Sequence, residues 1–211
     1  MAITDYASLK TEVATYLHRD DLTATIPTFI SNCEHRIARA LRVSQLLTTT
    51  TVTVSAAGST GTLPTGFLEM ANVKISTGAE LQYVPPDRID KESGAGTPWI
   101  YTLLGSTIVV APSWTAGGNL TCTMWKKETA LSDSNTTNWY VLNCPDALLF
   151  GALWEAAPFL MNDSRVPIWQ EFFRGAVDGL NMQYGNLDPH KRMLAYMQPD
   201  RNASSDLRNV A

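Results

Sequence analysis

The run Ala147–Met161 is apolar almost all round, interrupted only by Glu155 and Pro158. A helix apolar on every side has to be buried on every side. The run is shorter than the roughly twenty residues that cross a bilayer, so no membrane span is expected. It therefore demands partner helices, from its own chain or from another copy. A second helix-forming segment, Leu17–Val43 (LHRDDLTATIPTFISNCEHRIARALRV), lies towards the other end, and a long β-type stretch separates the two.

The helical periods are explicit. Residues Asp5–His18 carry Tyr6, Leu9, Val13, Tyr16 and Leu17 at helical spacing, with Thr4 or Asp5 placed to cap the first turn. A second helix is predicted from about Thr25 to Arg42. Pro27 suits its first turn, and its stripe is Ile26, Phe29, Ile30, Cys33, Ile37, Ala40 and Leu41. Pro145 suits the first turn of a third long helix, which Pro158 should kink or end. A fourth runs from about Ser164 to Tyr184, with Ile168, Phe172, Ala176 and Leu180 read as its apolar face.

Between them the period changes. Gln45–Val54 is dense in β-branched residues, and Glu69–Ser76, Leu81–Val84, Trp99–Leu104 and Thr107–Ala111 read as further strands. Asn119–Lys126 alternates Leu120, Cys122 and Met124 against Thr121, Thr123 and Trp125. Glycines punctuate the turns, and Pro86–Glu92 reads as a short helical excursion. The predicted fold class is α+β: a discontinuous four-helix module (1–43 and 138–187), an inserted antiparallel β-sandwich or barrel (44–137), and an extended C-terminal arm (188–211).

Charged residues make up only 17% of the 211, below the usual quarter or so. A chain short of charge often covers surface with other protein. The formal net charge of −4 argues against a general nucleic-acid binder. Three widely spaced cysteines without a CxxC pair speak against a disulfide framework. The opening MAITDYASLK lacks a basic start and an apolar core, so no signal peptide is expected.

Candidate chemistry is sparse. Cys33, Cys122 or Cys144 beside His18, His35 or His190 would be needed for a thiol nucleophile, but Cys33 falls on an apolar stripe and reads as core. Asp20–Asp21 and Asp87/Asp90 are the close acidic pairs, and neither resembles a metal loop. No phosphate-binding glycine loop, serine elbow or zinc-binding HExxH string occurs. No catalytic residue, cofactor or metal site is therefore expected, and the chain is not read as an enzyme. Arg36, Arg39 and Arg42 form a basic ridge that reads as a salt-bridged face rather than a phosphate contact. Trp99, Tyr101, Trp114 and Trp125 could stack on sugars, but aromatics more often fill a core or an interface.

Several phrases, taken in order, resemble the head–tail adaptor (connector) proteins of tailed bacteriophages. They are His18–Val43, Leu63–Met70 (LPTGFLEM), Leu81–Asp90 (LQYVPPDRID), Tyr101–Pro112 (YTLLGSTIVVAP) and Leu131–Leu160. The most specific is LSDSNTTNW leading into CPDALLFGALWEAAPFL. The resemblance implies a virion structural protein, assembled in the host bacterial cytoplasm and sited at the head–tail interface. It implies a homo-oligomer ring, commonly a dodecamer, between the portal protein and the tail or nozzle proteins. DNA would pass through its lumen without sequence-specific binding. It also implies an arm reaching the portal, here with Met193, Leu194, Tyr196 and Met197 as anchors. Leu149, Leu153, Trp154 and Phe159 on the over-apolar third helix are the expected subunit-interface residues. The alternatives are another tail-tube or completion protein, or a carbohydrate- or receptor-binding module using the β-section aromatics.

Overall fold

The structure is a computed structural model and describes residues 2–19, 21–92, 94–161 and 164–184. Helix α1 spans Tyr6–Leu17. Asp5 caps it reciprocally with Ser8: the Asp5 carboxylate accepts the Ser8 N–H at 2.8 Å, and the Ser8 hydroxyl accepts the Asp5 N–H at 3.0 Å. Helix α2 spans Ile26–Ala40, with Pro27 in its first turn. It buries Ile26, Phe29, Ile30, Cys33, Glu34, Ile37 and Ala38; Ala40, expected on the buried stripe, is exposed.

The returning helical segment has an extra break. Helix α4 (Trp139–Asn143) is separate from α5 (Pro145–Leu160), because Cys144 adopts a non-helical backbone between them. Asn138 caps α4, accepting the Val141 N–H at 3.1 Å. Helix α6 spans Val166–Tyr184.

Helix α5 is packed by α1, α2 and α6 of its own chain. Ala147, Leu148, Leu149, Gly151, Ala152, Leu153 and Ala156 are all buried there. Full burial of one such leucine stabilises by roughly 1.5–3 kcal/mol. The all-round apolar character of α5 is thus met largely within one chain, by helices contributed from both ends of the sequence. Together they share one core that runs from Tyr6 and Phe29 to Leu148 and Phe173.

In α6 the expected face is met at Ala176 and Leu180, which pack partly buried against the core, and missed at Ile168 and Phe172. The buried residues are Trp169, Phe173 and Val177, each one position beyond the predicted stripe. Ile168 and Phe172 point outward instead, 49% and 51% exposed. The helix carries two apolar stripes, and periodicity alone does not say which one the chain uses.

The strands are β1 (Leu47–Val54), β2 (Gly58–Thr62), β3 (Phe67–Ile75), β4 (Gln82–Tyr83), β5 (Ala95–Gly96), β6 (Ile100–Leu104), β7 (Thr107–Trp114) and β8 (Gly118–Lys126). The short helix α3 (Pro86–Ile89) lies between β4 and β5. One sheet has the order β1-β8-β3 and the other β2-β7-β6-β4, with β5 on β7. Val52, Val73, Leu120, Cys122 and Met124 of the first sheet face Tyr101, Ile108, Val110 and Trp114 of the second across a separate core. The pairing is mostly antiparallel, as expected. The exceptions are β4 with β6 and β5 with β7, which are parallel.

Strand β2 (GSTGT) reads as a turn in the sequence. Its Gly61 is there for space: an added Cβ would lie 2.5 Å from the Val52 side chain.

Candidate assembly surface and the junction behind it

Two arginines of the basic ridge are structural ties. Arg36 pairs with Glu155 through its Nε at 2.7 Å, and its guanidinium lies 3.8 Å from the centre of the Trp154 ring. Arg42 reaches across to β3, donating to Glu69 at 2.8 Å and to the carbonyl oxygens of Ala38 and Leu41. Arg39 is exposed. Trp125 of β8 donates from its indole N–H to the Val43 carbonyl at 3.0 Å, and its partly buried ring packs against the helical core. The Arg36 pair joins α2 to α5, while the Arg42 and Trp125 contacts fix the helical segment to the first sheet.

A buried carboxylate organises the most specific phrase of the sequence. Glu34 on α2 is only 2% exposed. It accepts the Leu131 N–H at 3.1 Å and an Asn138 side-chain N–H at 2.8 Å. Asn138 also donates to the Thr129 carbonyl, while the Thr136 carbonyl accepts the Tyr6 N–H at 2.8 Å. One acidic side chain therefore ties α2 to the loop before α4, and a backbone bond from Tyr6 to Thr136 ties that loop to the start of α1. Burial raises the Glu34 pKa, opposed by the hydrogen bonds from Leu131 and Asn138. Sequence reading missed Glu34 because a lone glutamate on a helix ordinarily faces water. The signal available was its place beside the Cys33 stripe.

The thiols are sealed. Cys33, Cys122 and Cys144 are buried and unpaired. Burial pushes Cys33 well above the usual thiol range, Cys122 to about 11 and Cys144 to about 12. At neutral pH they remain thiols, which are poor nucleophiles. Among the described residues no group of three or more His, Cys, Asp or Glu could hold a metal ion. Asp20 of the first acidic pair lies outside those residues. Among them, too, no helix is long and apolar enough to cross a membrane.

The aromatics divide. Tyr101 and Trp114 are buried at 6% and 7% exposure in the β core, whereas Trp99 is half exposed.

Of the expected interface residues, Leu149 and Leu153 are enclosed by the chain's own helices. Trp154 is partly covered by Arg36 and packs on Phe173. Phe159 touches Phe29, with ring centres 5.0 Å apart, yet stays 52% exposed. Met193, Leu194, Tyr196 and Met197 lie outside the described residues.

Further open apolar side chains lie along the outer face of α6, at Ile168, Phe172 and Met182. Phe172 touches Phe150 at 4.9 Å between ring centres, and Phe150 meets Tyr16 of α1 at 6.5 Å. Ile168 is also exposed on this side of α6, so aromatic and aliphatic side chains of three helices come together here; of these, Ile168 and Phe172 were expected on the apolar face of α6.

An open apolar patch suits a protein whose partners are other proteins. Residues 4–201 match the family model described as SU10 adaptor protein. No curated protein matches the chain at a significant level. The match takes in every described helix and strand. The chain belongs to the SU10 adaptor protein family, a family of bacteriophage adaptor proteins.

Proposed function

We propose that this adaptor is a virion structural protein that forms a homo-oligomeric ring between the portal and the tail or nozzle proteins, extending the channel for DNA. The family membership over residues 4–201 carries this reading. The structure supports it in two ways. The helices and the first sheet are locked together by Arg42–Glu69 and Trp125–Val43, giving each copy a fixed shape to repeat. An apolar patch of Tyr16, Phe150, Ile168 and Phe172 remains open for a partner. The net charge of −4 suits a lumen through which DNA slides without being held.

The modules proposed from the sequence carry distinct tasks. The helices (1–43 and 138–187) form the ring wall, the inserted strands (44–137) face outward or toward the tail, and the arm (188–211) docks on the portal. The chain acts by assembly and catalyses nothing. Assembly takes place in the host cytoplasm.

The test is electron cryo-microscopy of the full chain mixed with its phage's purified portal, beside a variant ending at Leu187. A ring under the portal with the full chain, lost with the shortened one, is the expected result. Equal binding by both chains would remove the arm from the portal contact. No binding by either would favour a tail-tube or completion protein.

A further inference from the structure

We infer that the outer face of α6 is one half of the contact between neighbouring copies of this chain, and that it receives the basic outer side of α2 from the next copy. The inference rests on the ring reading and supplies the surfaces that reading lacks.

Helix α6 has two apolar faces and its own chain covers one. Trp169, Phe173 and Val177 face α5, while Ile168, Phe172 and Met182 on the other side are 49%, 51% and 76% exposed. Gly175 and Gly179 fall on that same outer row by helical spacing. A Cβ added to either would meet nothing within 4 Å, so no neighbour inside the chain requires a glycine there. Two glycines inside a long helix weaken it. A second backbone approaching closely across that row is a reason to have them.

The occupant follows from charge. Glu171 and Asp178, seven residues apart, lie together along one margin of the row; Arg174 sits further round. Both acids are exposed, and neither forms an ion pair among the described residues. The same chain carries the complement. On the outer side of α2, Arg39 is exposed and without an ion pair among the described residues. One turn earlier, His35 meets Lys127 at 2.9 Å, which extends the basic strip.

The two surfaces are different and complementary. A closed ring requires this arrangement, because each copy must offer one face forward and the other back. An α6-to-α6 contact would instead join like charges and stop at a pair.

The test places a photo-crosslinking amino acid at position 172 in the full chain, using an equal mixture of isotopically light and heavy copies. The mixture is irradiated alone and on tailless heads of the same phage, and crosslinked peptides are identified by mass spectrometry. The expected product joins position 172 of one copy to the Thr28–Arg42 region of another, with light–heavy pairs present. Light–heavy oligomers whose position 172 joins elsewhere, or joins another phage protein, would overturn this inference and leave the ring intact. Subunits that bind as single copies, with no light–heavy pairs, would overturn the ring reading and this inference with it. Paired charge reversal gives an independent check. Asp178→Lys should reduce ring assembly at least tenfold, and adding Arg39→Asp should restore most of it. Unchanged assembly in the single variant would overturn the charge match.

Discussion

Gly151 and Gly175 both interrupt long helices, but their surroundings are opposite. At Gly151 an added Cβ would lie 2.2 Å from the Cys33 sulfur and 2.9 Å from the Phe173 ring. That glycine sits where α2, α5 and α6 converge, and the missing side chain is the condition of their contact. At Gly175 the same atom would meet open space. One glycine is explained inside the chain and the other is not. The contrast separates a completed core around α5 from an open face on α6.

Substitutions can break or sharpen this contrast. The largest effect belongs to Gly151→Ala. Overpacking against Cys33 and Phe173 should cost about 3 kcal/mol, read as a lower urea midpoint at unchanged slope. Adding Cys33→Ala should recover part of that loss.

Glu34→Ala comes next. It leaves the Leu131 N–H and an Asn138 N–H without their acceptor, at about 2 kcal/mol. Glu34→Gln adds a pH signature. The folded-state pKa of Glu34 lies above its unfolded value, so the folded chain holds that proton more tightly. Its contribution to stability is therefore full below the unfolded pKa and declines as pH rises through the folded one. The glutamine variant lacks this decline, so its stability relative to the parent should improve across that window. Denaturation curves at several pH values would show it, and a pH-independent difference would reject it.

Trp125→Phe removes the bond to the Val43 carbonyl and should cost about 1 kcal/mol. The smallest effect has the opposite sign. Gly175→Ala and Gly179→Ala should each stabilise the isolated chain by up to about 1 kcal/mol, since helix propensity improves and nothing is met. Both should nonetheless impair assembly. A variant that is more stable and assembles normally would mean that no backbone approaches that row.

Much of the fold was legible because burial and period agreed. Leu120, Cys122 and Met124 alternate along β8, and Ile26, Phe29, Ile30, Cys33 and Ile37 mark one side of α2; both patterns were met. The failures have specific causes. Ile168 and Phe172 are as hydrophobic as Trp169 and Phe173, so composition could not choose between two faces one residue apart. Strand β2 is built from glycine, serine and threonine, the usual vocabulary of turns, and only the crowding at Gly61 shows why. The junction was hidden because a glutamate's burial depends on partners roughly a hundred residues away. The LSDSNTTNW phrase stood out in the sequence, and its part in the structure is to supply those partners, Leu131 and Asn138.

The shared helical core also sets an order of events during synthesis. Helices α1 and α2 leave the ribosome first, but most of what they pack against arrives with α4, α5 and α6. Until residues 139–184 have been made, Leu9, Phe29 and Cys33 lack their neighbours, and the strands are complete before the helices can close. A chain whose translation stops early therefore lacks both its helical core and helix α6. Only a chain translated through Tyr184 has α6 to close that core, so an interrupted product exposes the apolar residues of α1 and α2 instead of burying them.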